Sequence, residues 1–159
     1  MRRKERELTS RNDIFDVLSR CSVVRLGINT GDYPYVVPLN FGFETQGEDL
    51  TLWFHSAPEG LKLDLIKLNS KVGFEADCSH KLVEGERARG YTMEFESIIG
   101  HGEIEVLEDN AAKRRGLAAI MRQYAPKRDF DFRDDEIADL IVLRLDVKKI
   151  TGKRLKRVD

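Results

Sequence analysis

Between residues 23 and 54 the chain lays down three strand-like runs so closely spaced that only antiparallel pairing suits them. Val23-Val-Arg-Leu-Gly-Ile28 is followed by the turn cluster Asn29-Thr-Gly-Asp32. Tyr35-Val-Val-Pro-Leu-Asn-Phe-Gly-Phe43 is followed by Gln46-Gly-Glu-Asp49, and Leu50-Thr-Leu-Trp-Phe54 comes directly after. Parallel neighbours need a crossover of a dozen or more residues, and these turns are far shorter, so the runs form antiparallel neighbours. Further on, Lys71-Val-Gly-Phe-Glu-Ala76 reads as a strand, and residues 78–90, polar and glycine-containing, read as a loop. Tyr91 to Leu107 alternates over a long stretch broken by Gly100 and Gly102. Glycines inside a strand mark a bulge or bend of the kind a barrel needs at its corners. Leu140-Ile-Val-Leu-Arg-Leu-Asp-Val147 is the last strand, with Gly152 beyond it as a stop.

Helical spacing appears in three places. Ser10-Arg-Asn-Asp13 fits a capping box ahead of Ile14, Phe15, Val17 and Leu18, which predicts a helix from about Arg11 to Arg20. Leu61, Leu65 and Leu68 recur on one face, with Leu63 and Ile66 beside it, and Pro58 suits a first turn. Leu117, Ile120, Met121 and Tyr124 make one stripe of a helix over 111–124. About six or more strands, two or three helices and no strand–helix alternation give a mainly β fold: an antiparallel barrel with peripheral helices.

A chain of 159 residues supports one core, so residues 1–159 are read as a single domain. Lys and Arg total 27 against 28 Asp and Glu, which gives no reason to expect a nucleic-acid surface. The basic start Met1-Arg-Arg-Lys-Glu-Arg-Glu7 lacks the apolar run of a signal peptide, and no apolar stretch is long enough to span a bilayer. Two cysteines, Cys21 and Cys78, do not make a disulfide framework, so a cytoplasmic location is expected. Cys21, near the junction of the first helix and strand, reads as a core residue. Asp77-Cys-Ser-His80 has neither the ligand count nor the spacing of structural zinc, and no metal is expected. No Gly-x-Gly-x-x-Gly or Walker-type loop occurs, which argues against a Rossmann or P-loop nucleotide site.

The segment richest in chemistry is Phe54-His-Ser-Ala-Pro-Glu-Gly-Leu-Lys62, where a strand gives way to a helix. Ser56 as N-cap, with Glu59 three residues later, forms a capping box. The first-turn N–H groups and the helix dipole make an anion site, with His55, Ser56 and Lys62 able to supply donors to a phosphate monoester. A plain helix cap with a solvated Lys62 is the competing reading. Within Tyr35–Phe41, Pro38 interrupts the hydrogen-bond ladder. Either main-chain groups of Val37 and Leu39 are free to bond a planar heterocycle, or the proline blunts an edge strand. Along Tyr91–Gly102, Glu96, Ser97, Gly100 and His101 either reach a ligand from a bent strand or face water at a barrel corner. In Ile150-Thr-Gly-Lys-Arg154, Lys153 and Arg154 either meet an anion or belong to a solvated basic tail.

Taken in order, Tyr33-Pro-Tyr-Val-Val-Pro-Leu-Asn-Phe41, Leu52-Trp-Phe-His-Ser-Ala57, Gly60-Leu-Lys-Leu-Asp64, Ser97-Ile-Ile-Gly-His-Gly102 and Ile150-Thr-Gly-Lys-Arg154 resemble the pyridoxamine-phosphate-oxidase-like FMN-binding split barrels. The likeness is greatest to the 5-nitroimidazole-resistance branch and runs along nearly the whole chain. The resemblance implies a six-stranded antiparallel split β-barrel and a homodimer with two FMN sites, each built from both subunits. It implies that Val37, Pro38, Leu39 and Asn40 run beside the isoalloxazine ring. By the same likeness His55, Ser56, Ala57 and Lys62 hold the ribityl phosphate, and Glu96 and Ser97 come from the partner chain. In the resistance branch the residue matching His55 is tied to activity, which makes His55 the candidate catalytic residue. True pyridoxamine-phosphate oxidases close with an Arg-Leu-x-Pro type sequence. Here Leu155 is followed by Lys156 with no proline, which argues against vitamin oxidation. The expected function is that of an FMN oxidoreductase reducing small nitroaromatic or other electrophilic compounds. A non-enzymatic module binding flavin, haem or another small ligand is the alternative.

Overall fold

The computed structural model describes residues 3–156. Met1 and Arg2 of the basic start, and Arg157, Val158 and Asp159 of the basic end, lie outside the described residues. After a short 3-10 turn at Lys4–Arg6, the elements are β1 (Glu7–Leu8), α1 (Arg11–Arg20), β2 (Val24–Ile28), β3 (Tyr35–Leu39), β4 (Gly42–Gln46) and β5 (Asp49–Ser56). They continue with α2 (Leu61–Leu68), β6 (Lys71–Val83), β7 (Thr92–Leu107), α3 (Asn110–Tyr124), α4 (Asp134–Ile137) and β8 (Ile141–Leu155). The strands form one antiparallel sheet in the order β3-β2-β6-β7-β8-β5-β4, with β1 also paired to β8.

The two ends of that path, β3 and β4, are separated in the chain by Asn40 and Phe41 alone. Two residues of extended chain reach only about 7 Å, so the sheet must curl until its ends are close. No ladder joins β3 to β4 among the described residues. The result is a barrel with one open seam, the split barrel that the resemblance implies, with eight strands where six were expected. The additional strands are the two-residue β1 and the division of the 35–43 run at the seam. α3 braces the seam: the Phe41 N–H donates to Tyr124 Oη at 3.0 Å, and that hydroxyl donates to the Ser22 carbonyl at 2.7 Å.

Alternation builds the core, since every second residue of a strand faces inward. Val24, Leu26 and Ile28 of β2, Val72, Phe74 and Ala76 of β6, and Leu50, Leu52 and Phe54 of β5 are all buried in one cluster. α3 packs on the opposite face of β5 and β8, where Trp53, Ala119, Ile120 and Val142 form a second cluster. Burial on both faces explains why Leu52-Trp-Phe54 and Ile141-Val-Leu143 read as unbroken apolar runs. The helix approaches so closely that a Cβ on Gly42 would lie 2.2 Å from the Ala119 carbonyl carbon. The one-turn α4, a fourth helix, is held by Lys113, whose buried ammonium donates to the Ile137 carbonyl at 3.0 Å.

Two sequence expectations about strand ends give way. β6 does not stop at Ala76 but runs through the polar stretch to Val83, because Lys81, Leu82 and Val83 pair with Glu94, Met93 and Thr92 of β7. A register shift between Cys78 and Lys81 absorbs Ser79 and His80. Gly152 does not end β8. It is buried within the strand opposite Ile98, and a Cβ there would lie 2.8 Å from Leu8 Cδ1. The break expected near Gly100 and Gly102 is present: His101 pairs with Lys149 but Gly102 with Val147, so Lys148 is the extra residue of a bulge.

Candidate functional site

β5 ends with His55 opposite Val142 and Ser56 opposite Ile141. His55 is exposed, and Ser56, on the alternate face, is buried. The Ser56 hydroxyl donates to the next carbonyl, that of Ala57, at 2.9 Å. Ser56 is therefore not the helix cap, and Glu59 does not close a capping box. The N-cap of α2 is Gly60, at φ 140°, a backbone conformation that side-chain-bearing residues rarely adopt. The extra residues Ala57–Glu59 carry the chain around the corner and move the helix start to Leu61, which leaves Pro58 ahead of the first turn.

The change of cap leaves backbone donors at this corner. The Gly60 carbonyl accepts from Leu63 N at 2.9 Å and from Asp64 N at 3.4 Å. Among the described residues no acceptor meets the N–H groups of Leu61 and Lys62. These two amides, the positive end of an eight-residue helix and the half-buried Lys62 supply a site suited to a phosphate.

β3 pairs with β2 alone, so its other edge has no strand partner among the described residues. Tyr35, Val37 and Leu39 pack toward the core while Val36 and Pro38 are exposed. Pro38 thus stands on an edge strand, where a missing N–H is tolerated. Asn40 is exposed and its Nδ2 donates to the Ser22 carbonyl at 3.4 Å.

Glu96 and Ser97, adjacent in sequence, face opposite ways on β7. Glu96 is completely buried. Its carboxylate accepts from Arg20 Nη1 at 2.5 Å and from Arg154 Nε, with Lys156 Nζ at 3.8 Å. Burial alone would raise its pKa, but Arg20, the neighbouring Ser79 and Arg154 outweigh it and hold the carboxyl down at about 2. Glu96 thus lies inside an ion cluster, while Arg154, which pairs with it through Nε, keeps its side chain partly exposed. Ser97 lies on the outer face between Asp77 and Lys153, and with Ile99 and Thr151 it lines a depression of about 240 Å³.

The outer face holds residues that the motif reading passed over. Gly27 of β2 pairs with Gly73 of β6, which pairs with His101 of β7. On the other side Gly27 pairs with Val36. Two side-chain-free positions in register make a shallow trough between Val36 and His101, with the exposed Ile99 beside it. Counting alternate residues outward from the two glycines would have found it. A wider depression, about 760 Å³, is elsewhere, between β4, β5, β8 and α3. It contains none of the candidate cofactor-binding residues, and its Glu44 is held by Arg115, Arg122 and the Trp53 indole N–H. Among the described residues no helix is long and apolar enough to cross a membrane.

Known proteins resemble this arrangement. The family described as Pyridoxamine 5'-phosphate oxidase matches residues 10–154. A candidate 5-nitroimidazole antibiotic resistance protein from Bacteroides thetaiotaomicron VPI-5482 is 33% identical, with 92% of this chain and 85% of that chain covered and a TM-score of 0.79. The FAD and heme binding protein from Mycobacterium smegmatis is similar in fold at 19% identity, with coverage of 96% and 74% and a TM-score of 0.80. The flavocytochrome Anf3 from Azotobacter vinelandii is similar at 18% identity, with coverage of 96% and 72% and a TM-score of 0.76. No curated protein matches the sequence.

Proposed function

Since the chain belongs to the Pyridoxamine 5'-phosphate oxidase family, we propose that it is a homodimeric FMN-binding oxidoreductase that reduces small nitroaromatic or other electrophilic compounds. The observation that carries the reading is the α2 N-terminus, where two unpartnered amides and Lys62 stand at the end of β5. These groups bind the ribityl phosphate, and the exposed His55 adds an imidazole at the same corner. Ser56 and Ala57 shape the turn, their mutual hydrogen bond fixing the path into Gly60. The unpaired edge of β3 at Val37, Pro38 and Leu39 offers main-chain groups to the polar rim of the ring, with Asn40 at its end.

The trough over Gly27 and Gly73, with Val36 and Ile99 exposed beside it, receives the second subunit. Ser97 and Lys153, neighbours across β7 and β8, are the contribution of that face to the partner's cofactor. Glu96 supports Ser97 from behind through its ion cluster rather than touching the ligand. When bound, FMN supplies a hydride acceptor and donor at its N5 position. The residues of this chain bind and orient it, and His55 either donates a proton to the reduced substrate or serves the phosphate alone.

The test is the visible spectrum of freshly purified protein, repeated after adding FMN and removing the excess. Retained flavin bands, followed by anaerobic reoxidation of the reduced protein by a nitroimidazole, support the reading. A protein that stays colourless after FMN is added overturns it. A second reading, a flavin- or haem-binding module without turnover, draws on the likeness to a flavocytochrome and to a FAD and heme binding protein. It is distinguished by bound flavin that passes electrons to an acceptor for at most one turnover.

A further inference from the structure

The chain's two cysteines take no part in the proposed flavin site, yet the fold brings them together where α1 ends. Cys21 follows the last residue of the helix and is 2% exposed. Its N–H donates to the Val17 carbonyl at 3.1 Å. The Cys78 thiol of β6 is directed at that same carbonyl oxygen, at 4.0 Å, and packs against the cluster that contains Cys21. The two cysteines thus converge on one carbonyl, the Cys21 amide from one side and the Cys78 thiol from the other.

Their surroundings are unlike. Cys21 is sealed in the core, where burial, and after it the neighbouring Cys78, pushes its pKa well above the usual thiol range. Cys78 is only half-buried, and its sulfur accepts from Arg20 Nη1 at 3.6 Å and from Ser79 Oγ at 3.6 Å. The sealed Cys21 is closed to an oxidant from solvent, whereas the partly exposed Cys78 sulfur is open to one. Ser79 has φ 59°, the one side-chain-bearing residue of the described chain with positive φ, at the register shift between Cys78 and Lys81. Left-handed backbone at a residue other than glycine persists only where its surroundings hold it. Here it sets the Ser79 hydroxyl against both Cys78 and Arg20, the latter at 2.7 Å.

We propose that Cys78 and Cys21 are a hydroperoxide-responsive dithiol, in which Cys78 is oxidised first and Cys21 resolves it as an intramolecular disulfide. The Cys78 sulfur, giving up its proton, attacks the terminal peroxide oxygen. The O–O bond breaks, the departing oxygen takes a proton to leave as water or an alcohol, and Cys78 becomes a sulfenic acid. The Cys21 sulfur then attacks the sulfenyl sulfur. An S–S bond forms, hydroxide leaves, and the Cys21 proton converts it to water. Two thiols lose two electrons in all, and the peroxide gains them. The link ties the end of α1 to the bulge of β6.

The experiment treats the reduced full-length protein with a small excess of hydrogen peroxide, alkylates it under denaturing conditions, and reads intact mass and proteolytic peptides. The expected result is loss of both alkylatable thiols together, a mass lower by two hydrogens, one peptide joining Cys21 to Cys78 within a single chain, and reversal by dithiothreitol. Cys21→Ser should leave a sulfenic acid on Cys78 that dimedone captures. Cys78→Ser should leave Cys21 unreacted. Should a variant fail to fold, the wild-type peptide map decides alone. Two thiols that remain alkylatable, a disulfide between chains, or oxidation of Cys21 with Cys78 intact would each overturn the proposal.

Discussion

Arg20, the last residue of α1, donates from Nη1 to the buried Glu96 carboxylate of β7 at 2.5 Å, while Arg154 of β8 donates from Nε to the other carboxylate oxygen. The pair joins helix to barrel and decides how the fold meets acid. The carboxyl lies at about 2 in the folded chain against an ordinary 4.5. A group whose folded value is depressed contributes stability above its unfolded value and loses it as the pH falls toward the folded one. The contribution is therefore complete above pH 4.5 and disappears between 4.5 and about 2. It corresponds to roughly 3 kcal/mol. Glu96→Gln should lower stability at neutral pH by about 3 kcal/mol, because two guanidinium groups lose their counter-ion. It should also flatten the acid limb of a denaturation series, and an unchanged acid limb would refute the assignment.

Gly42 and Gly60 resist substitution for different reasons. A Cβ on Gly42 meets the backbone of Ala119 at 2.2 Å, so α3 itself has to move. Gly42→Ala should cost about 2–3 kcal/mol through overpacking. At Gly60 nothing lies within 4 Å, but φ is 140°. Gly60→Ala should cost about 1–2 kcal/mol from backbone strain alone. Denaturant midpoints of the two variants check the amounts. Only Gly60→Ala should also weaken FMN retention, since it reorients the α2 amides.

The two halves of that comparison show what local sequence conveys. The helix over 11–20 was legible because its apolar spacing is local, although Ser10 is its N-cap without the side-chain hydrogen bond of the expected capping box, and the antiparallel sheet because its turns are short. Ser56 misled because a capping box is recognised by spacing, whereas the φ of Gly60 that moves the helix start to Leu61 is invisible in spacing. Gly152 read as a stop because glycine usually weakens a strand; its actual reason is the side chains of Leu8 and Ile14 pressing on it from far away in sequence. The partners of Glu96 lie 76 and 58 residues away. No local pattern distinguishes a buried, paired Glu96 from a ligand-facing one, although strict alternation already forbids Glu96 and Ser97 from sharing a face.

Tyr124 offers a test of the seam. Its hydroxyl accepts the Phe41 N–H at 3.0 Å and donates to the Ser22 carbonyl at 2.7 Å. Phe41 is completely buried, so Tyr124→Phe leaves its amide without a partner where water has poor access. The expected loss is about 1–2 kcal/mol. Hydrogen exchange should localise it, with the Phe41 amide losing protection while amides in the middle of β6 and β7 keep theirs. Uniform loss of protection would mean that the hydroxyl stabilises the whole barrel rather than the seam.

Lys62 is the sharpest probe of the proposed cofactor site, because it makes no ion pair among the described residues and sits at the start of α2. Removing its ammonium should leave the cofactor-free fold unchanged in thermal midpoint. A charge-assisted hydrogen bond to phosphate is worth about 1.5–3 kcal/mol, so Lys62→Ala should weaken FMN binding by roughly 10- to 150-fold in a fluorescence-quenching titration. Riboflavin, which lacks the phosphate, should bind wild type and variant alike. The stabilisation that saturating FMN confers on the wild type should shrink in the variant by mass action. If FMN and riboflavin were weakened equally, Lys62 would be acting through the shape of the corner rather than on the phosphate, and the anion site would have to be sought at other residues.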